Sequence, residues 1–512
     1  METHISYYLL LGPLALFLYH FFIYPAFLCP LAKIPTAHWS CRFSSIWIYY
    51  LKWTNQENGT VYEKHMTLGP AVRLAPNLVS INCFEEGLKK IYQGGFPKPE
   101  FYWHGFAIYK SATTKNSTEN IFTFPDNGPH AARKRIVSNT FSKSYVLASP
   151  TARAATCKVL FERYLPMLQK AAAENKPVEV LEMNYAYSMD TFVHWQYGRS
   201  LGSNLIEDEK ERRLYLDGFF APYPTLFWQY YFPNLAAQLR KIGLYLIPKS
   251  VDTKFGAIEA WNLDKCDRAQ QLLASGKPLA SEDQPVVFEQ ALKAMSDMHA
   301  SPKAYPQRLQ IASDMFAHNS AAFETSGNTE TYLFYEMCRN PVWQTKLREE
   351  VLRHAPQLIL GDKKVEVEDL PEPKDIDALP ILHAIVMETL RLWPSVPGGQ
   401  PRVVPRTCSL GGFDGIPAGT VVQSYGYILH RTPEVFPDPH VWKPERWLDS
   451  SADQLATMKR WFWAFTIKFL VASVYGNFTT SIHDHGSMEL LDAYLAGPKG
   501  HRLEIKFDHV EG

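Results

Sequence analysis

Glu388 and Arg391 stand three residues apart in Glu388-Thr389-Leu390-Arg391. On a helix that spacing puts a carboxylate and a guanidinium on one face, where they can meet as a bidentate ion pair. Glu-x-x-Arg is common on solvated helices, where such a pair contributes little. Here Ile381, Leu382, Ile385, Val386, Leu390 and Leu392 make most of the segment apolar. A buried pair needs a further partner for its remaining hydrogen bonds, and Arg446 of Pro444-Glu445-Arg446-Trp447 is the natural third member. A second constellation, Ala321-Ala322-Phe323-Glu324-Thr325-Ser326, sets an acid beside a hydroxyl just after two small residues. Small side chains let a flat cofactor approach a helix, and Glu324 with Thr325 could relay protons to bound oxygen. The plain alternative has Thr325 bonding back to a carbonyl of its own helix while Glu324 faces water. In His130-Ala131-Ala132-Arg133-Lys134-Arg135 an imidazole and the Lys134 ammonium are one turn apart, suited to the carboxylates of a cofactor or equally to a solvated basic face. Arg402, between Pro401 and Val403 at an expected strand start, could serve the same anionic groups.

The elements that must hold these residues are mostly helical. Apolar residues recur at three- and four-residue intervals around 159–174, 309–339, 343–354 and 379–392. Ala71-Val72-Arg73-Leu74-Ala75 and Val79-Ser80-Ile81 alternate as strands of a small early sheet. After Arg391 the texture changes to prolines and glycines, with Gly411-Gly412 and Pro417-Ala418-Gly419 reading as turns between short strands. No linker divides the region after Pro35, so residues 31–512 form one domain, mainly α with a minor β portion. Between Ile5 and Ala32 there is no Asp, Glu, Lys or Arg, enough apolar length for a transmembrane helix, and residues 1–30 are predicted to be a membrane anchor. Lys33 and Arg42 follow the run, which places the bulk of the chain on the cytosolic side.

Composition narrows the function classes. The 52 basic and 52 acidic side chains cancel, and no basic face is visible in the sequence, so a nucleic-acid partner is excluded in favour of a small molecule. Seven cysteines without a CxxC pair suit a reducing compartment.

Taken in order, these pieces resemble the cytochrome P450 monooxygenases, in particular the membrane-anchored, fungal type. The resemblance runs from the anchor with its proline hinge through the His130 helix, Ala322-Phe323-Glu324-Thr325, Glu388-Thr389-Leu390-Arg391, Pro401-Arg402-Val403-Val404-Pro405 and His430-Arg431-Thr432-Pro433 to Pro444-Glu445-Arg446-Trp447. It implies the cytochrome P450 fold and a haem cofactor. Glu388, Arg391 and Arg446 would be the lock of the haem-side core, Glu324 and Thr325 the catalytic proton-delivery pair, and His130, Lys134 and Arg402 the ligands of the haem carboxylates. It implies insertion of one oxygen atom from O2 into an apolar small molecule of fungal secondary metabolism. Electrons would come from NADPH-cytochrome P450 reductase at the endoplasmic reticulum membrane. Arginine is usual in the family where Lys134 stands.

One departure is severe. After the equivalent of Phe465 the family carries a glycine-rich loop with the cysteine that ligates iron. Here Thr466-Ile467-Lys468-Phe469-Leu470 follows at once, and the last cysteine is Cys408. The resemblance therefore implies a deletion at about 465/466, and no residue is assigned as metal ligand. A gene-model or splicing error, a genuine variant surviving as a non-catalytic membrane-anchored hydrophobe-binding or scaffold protein, and a haem protein with another ligand are the three explanations. Substrate and regiochemistry have no motif.

Overall fold

The structure, a computed structural model, describes residues 12–109, 118–297, 307–361, 363–462 and 468–510. Its helices include α1 (Asn127–Val137), α2 (Val180–Tyr197), α3 (Glu209–Phe220), α4 (Lys249–Ala274) and the 33-residue α5 (Gln307–Arg339). They continue with α6 (Pro341–His354), α7 (Pro380–Leu392), α8 (Ala452–Trp461) and α9 (Phe469–Asn477). Helices α6 and α7 each open on a proline, whose fixed φ and missing N–H are harmless in a first turn. The expected periodic segments at 309–339, 343–354 and 379–392 are thus continuous helices.

Helix α5 runs through the middle of the molecule and packs along α2. The close approach depends on Gly327, where a Cβ would lie 2.5 Å from the Tyr185 ring. Polar groups in this interface are paired across it: Tyr185 O–H donates to Asn328 Oδ1 at 2.6 Å, and Asn184 Nδ2 to Thr331 Oγ1 at 3.0 Å.

The strands are short and long-range. A four-stranded sheet has the order β1 (Ala71–Ala75), β2 (Leu78–Ile81), β7 (Val421–Gln423), β4 (Arg402–Val403). The β1/β2 and β7/β4 pairs are antiparallel and β2/β7 is parallel. The two-stranded β5 (Cys408–Leu410) and β6 (Phe413–Ile416) turn through Gly411 and Gly412, with φ of 58° and 84°. A three-stranded sheet of β3 (Val178–Glu179), β9 (Leu503–His509) and β8 (Phe478–His485) ties the C-terminal hairpin to the start of α2. Pairing of β4 with β7, and of β7 with β2, brings Arg402 beside segments some three hundred residues earlier.

The transmembrane helix expected within residues 1–30 is not supported. Among the described residues no helix is long and apolar enough to cross a membrane, and residues 1–11 lie outside them. Residues 12–28 are helical. Over Tyr19–Leu28 the turns widen, with Pro25 inside, and the Cys29 N–H closes on the Tyr24 carbonyl at 2.8 Å. Hydropathy counts apolar residues, whereas spanning needs an unbroken length of helix.

Candidate active site

The most completely bonded cluster lies at the end of α7. Glu388 and Arg391 are both fully buried. Arg391 donates from Nε to Glu388 Oε2 at 2.9 Å and from Nη2 to Oε1 at 2.7 Å. Arg446 Nε reaches both carboxylate oxygens at 3.1 Å, the Trp447 indole N–H donates at 3.0 Å and the Lys443 backbone N–H at 2.9 Å. Further guanidinium donors go to carbonyls. Arg391 Nη1 bonds those of His430 (2.9 Å) and Pro439 (2.7 Å), and Arg446 Nη1 that of Pro437 (2.7 Å). Two guanidiniums around one carboxylate leave one positive charge in excess, and these oriented carbonyl dipoles offset it. Trp447 and Lys443 are members that i,i+3 spacing alone could not find, although Trp447 adjoins Arg446.

On α5, Glu324 and Thr325 face different ways, as successive residues about 100° apart around a helix must. Glu324 is buried and accepts a hydrogen bond from the Tyr223 phenol. Burial pushes its carboxyl up to about 7, and the Tyr223 bond acts against that rise. The Thr325 hydroxyl donates to the Ala321 carbonyl at 2.7 Å, while its own carbonyl receives the Ser395 hydroxyl at 2.8 Å. The plain alternative is therefore half realised: Thr325 does bond back along its helix, but Glu324 does not face water. The aromatic run that supplies Tyr223 serves as packing here, with Phe219 against Phe323 at 4.6 Å between ring centres. Opposite this buried side, Ala321 is exposed and Thr325 partly so, leaving one face of α5 open.

Beside that face stand His130 and Lys134 of α1 and Arg402 of β4. Arg133, between the first two, turns inward and pairs through Nε with Asp314 of α5 at 3.1 Å, which pins α1 across one end of the open face. Ser395 pins the chain leading to Arg402 at the other. Arg402 Nη1 donates to the Tyr102 hydroxyl at 2.7 Å, and its guanidinium lies over the Tyr92 ring at 5.1 Å. Lys98 joins the group: its ammonium lies 5.6 Å from the Tyr102 ring centre and donates to the Phe122 carbonyl at 2.7 Å. Burial, then the fields of Arg402 and Lys134, push the Lys98 ammonium down to about 7. Burial, then Lys98, Lys134 and Arg402, push the His130 imidazole down to about 4. Among the described residues no acidic side chain pairs with any of the four. Lys98 lies between Pro97 and Pro99, in a setting that carries no periodic signal and that sequence reasoning passed over.

The thiols are elsewhere. Cys266 meets the Tyr197 hydroxyl at 3.3 Å, Cys338 the Thr480 hydroxyl at 3.2 Å, and Cys157 the Val365 carbonyl at 3.4 Å. Burial pushes Cys41, Cys83 and Cys157 up to about 11 and Cys266 and Cys338 up to about 12, and raises Cys408 as well. Cys29 ends the N-terminal helix. Among the described residues no group of three or more His, Cys, Asp or Glu could hold a metal ion. The junction at 465/466 lies outside the described residues, and its flanks are packed: Phe462 stacks on His430 at 5.2 Å, and Lys468 pairs with Asp377 at 2.9 Å.

A sequence model of the cytochrome P450 family matches residues 85–465 of this chain. The chain belongs to the cytochrome P450 family. The chain is 26% identical to the cytochrome P450 monooxygenase hkm5 of Aspergillus hancockii, over 82% of this chain and 77% of that protein. It is 24% identical to the cytochrome P450 monooxygenase FGM1 of Gibberella zeae over 91% of each. It is 27% identical to the cytochrome P450 monooxygenase atr2 of Stereocaulon alpinum, over 78% of this chain and 72% of that one. Cytochromes P450 of this kind are haem-dependent monooxygenases of organic molecules that draw electrons from a redox partner.

The described residues fit a P450 haem only in part. Four cation-capable groups without an acid match the two carboxylates of the macrocycle, and the open face of α5 can receive its plane. A sulfur ligand for the iron is not matched. A thiolate is required of a sulfur ligand, and six of the seven cysteines have their thiol forms favoured, the three with polar partners bonded within other parts of the fold.

Proposed function

We propose that this P450 is a monooxygenase of an apolar small molecule in fungal secondary metabolism. It would work on the cytosolic side of the endoplasmic reticulum membrane with NADPH-cytochrome P450 reductase as partner. Haem supplies the oxygen chemistry in this family. The observation that carries the reading is the open face of α5, with Thr325 at its end and a cluster of cations beside it that meets no acid among the described residues. His130, Lys134 and Arg402, with Lys98, would hold the haem carboxylates. Glu324, on the buried side of α5 and poised near neutrality, can give or take a proton within that helix packing, and Tyr223 orients it. A cleft of about 290 Å³ apart from α5, walled by Ile48, Tyr49, Leu78 and Phe101 together with the polar Lys52, Asn77 and Gln423, suits a modest ligand with an apolar body and a polar edge.

A membrane position is supported by exposed apolar side chains of the N-terminal elements. Leu16 and Phe27 are over 70% exposed, Phe22 packs on Phe43 at 5.7 Å, and Trp39, Ile46 and Trp53 stand exposed beside it. Such side chains can lie in the headgroup region without a helix that spans.

Because no cysteine follows Phe465, where the family carries its sulfur ligand, we assign the activity to a form carrying a further segment between Phe465 and Thr466. Sequencing the transcript across this junction should reveal an in-frame insert with a cysteine. A carbon monoxide difference spectrum should then show a thiolate-type band for the longer form and none for the 512-residue chain. An uninterrupted transcript and no haem in any form would sink the reading. The second reading, a non-catalytic hydrophobe-binding or scaffold protein, is favoured by the raised, inwardly bonded thiols.

A further inference from the structure

We propose that Arg73 and Arg42 form a socket that holds the N-terminal helix at one fixed angle to the domain, so that the helix is a rigid post seated in a lipid surface and sets the pose of the protein on it. The inference rests on the membrane position proposed above and adds to it a joint that does not swing.

The helix and its joint are covered in opposite ways. Residues 12–24 are all exposed, with Leu14, Leu16, Phe17, Phe21, Phe22 and Ile23 among them and no charged side chain. A helix that packs on protein needs an apolar stripe on one face, whereas one apolar all round needs an apolar surrounding on every side. Lipid is the occupant that fits, and the exposed Trp39, Ile46 and Trp53 extend the same chemistry onto the domain. At the base of the helix the exposure stops. Ala26, Leu31 and Ile34 are buried, the last two packing with Val79 and Ile81 of β2 and Val422 of β7. Arg73, fully buried at the centre of β1, serves this joint with both backbone and side chain. Its N–H donates to the Pro35 carbonyl at 2.7 Å and its carbonyl accepts from the Ala37 N–H at 3.0 Å, with Thr36 bridged in parallel to it. Its Nη1 reaches the Pro25 carbonyl at 2.9 Å, while Nη2 and Nε hold those of Pro76 (2.8 Å) and Ala75 (3.3 Å). Arg42 Nη1 donates to the Ala26 carbonyl at 3.0 Å. Pro25 and Ala26 lie in the last turn of the helix, where carbonyls lack partners within it and the backbone dipole is negative. Swinging the helix away would strip an acceptor from a buried guanidinium. A flexible link over residues 29–37 would let its ends wander over roughly 15 Å. Here the N–H groups of Cys29, Ala32, Ile34 and Ala37 are all bonded.

The test is a pulsed spin–spin distance measurement on the full chain in phosphatidylcholine vesicles. Labels are carried by unnatural residues at Leu16 and at Met66, which is exposed on the helix Glu57–Leu68. The parent should give one narrow distance, and Arg73→Met and Arg42→Gln should each widen it towards the spread of roughly 15 Å that a free link allows. Arg42 is half-buried, so its variant folds even where loss of the buried Arg73 bonds disturbs the other. A wide distribution in the parent, or a narrow one that neither variant alters, overturns the socket. Copies labelled only at Leu16 should show no defined distance to one another, and a defined one would put a second copy in place of lipid and overturn the occupant. Flotation with the vesicles is read on the same samples. Failure to float overturns the membrane position and the post with it, whereas a chain that floats with a wide distance overturns the socket alone.

Discussion

Two clusters of cations, the Glu388 lock and the Lys98–Arg402 edge, are handled in opposite ways by the same fold. In the lock, Arg391 and Arg446 surround a carboxylate, and their surplus charge is met by aimed carbonyls. At the edge, four cation-capable groups meet no acid among the described residues, and burial first, then the neighbouring cations, make Lys98 and His130 hold their protons less tightly. The difference separates structure from binding. A charged cluster that carries its own counter-ion stabilises the fold and asks for nothing, whereas one without it carries a cost that only a ligand can relieve.

The largest effect should come from breaking the lock. Glu388→Ala leaves two buried guanidiniums without their acid and should cost about 3–5 kcal/mol in urea unfolding, or prevent folding altogether. A loss under about 1 kcal/mol would mean that the carbonyls alone suffice.

Next comes the buried acid of α5. The Glu324 carboxyl is raised from 4.5 to about 7 in the fold, so its contribution is whole below pH 4.5 and is lost as pH rises through 7. Glu324→Gln keeps an acceptor for Tyr223 and should be flat across that window, more stable than the parent at pH 8 by roughly 2 kcal/mol. Parallel pH profiles for the two proteins would refute the assignment.

Lys98 should show the reverse slope. Its proton affinity is lowered from 10.5 to about 7, so the unfolded chain binds the proton better and stability rises between those values. Lys98→Met should stabilise the ligand-free chain by about 1 kcal/mol at pH 6, the gain vanishing above pH 10. A destabilised variant would show that the bond to the Phe122 carbonyl outweighs the repulsion. The smallest change expected is in Tyr223→Phe. Without the phenol hydrogen bond the Glu324 carboxyl should titrate higher still, followed by its infrared C=O band, and an unmoved band would break the Tyr223–Glu324 link.

The lock was legible because its core is local. Glu388 and Arg391 are set by helical spacing and buried by the apolar residues around them, so a third partner had to exist. The acid and hydroxyl of α5 were legible as a pair, but the direction each takes was not, because facing depends on what packs against α5. Phe219 and Tyr223 arrive from a stretch whose aromatic composition fits an entrance, a membrane contact or a core equally well. The expected spanning helix shows the limit from the other side, since an apolar run is read from sequence but the widening of its turns over Tyr19–Leu28 belongs to the folded segment.

The sequence by itself determined the family, the helical texture, the ion pair of α7 and the lack of a cysteine after Cys408, because each is a matter of residue type, order or spacing under about one helical turn. The tertiary structure alone decided that Lys98 joins His130, Lys134 and Arg402, that Tyr223 closes on Glu324, and that one face of α5 stands open. Those depend on parallel pairing of β2 with β7 and on α1 crossing α5 at Asp314. The energy of such contacts is shared between segments far apart in the chain, and so leaves no mark in either segment alone.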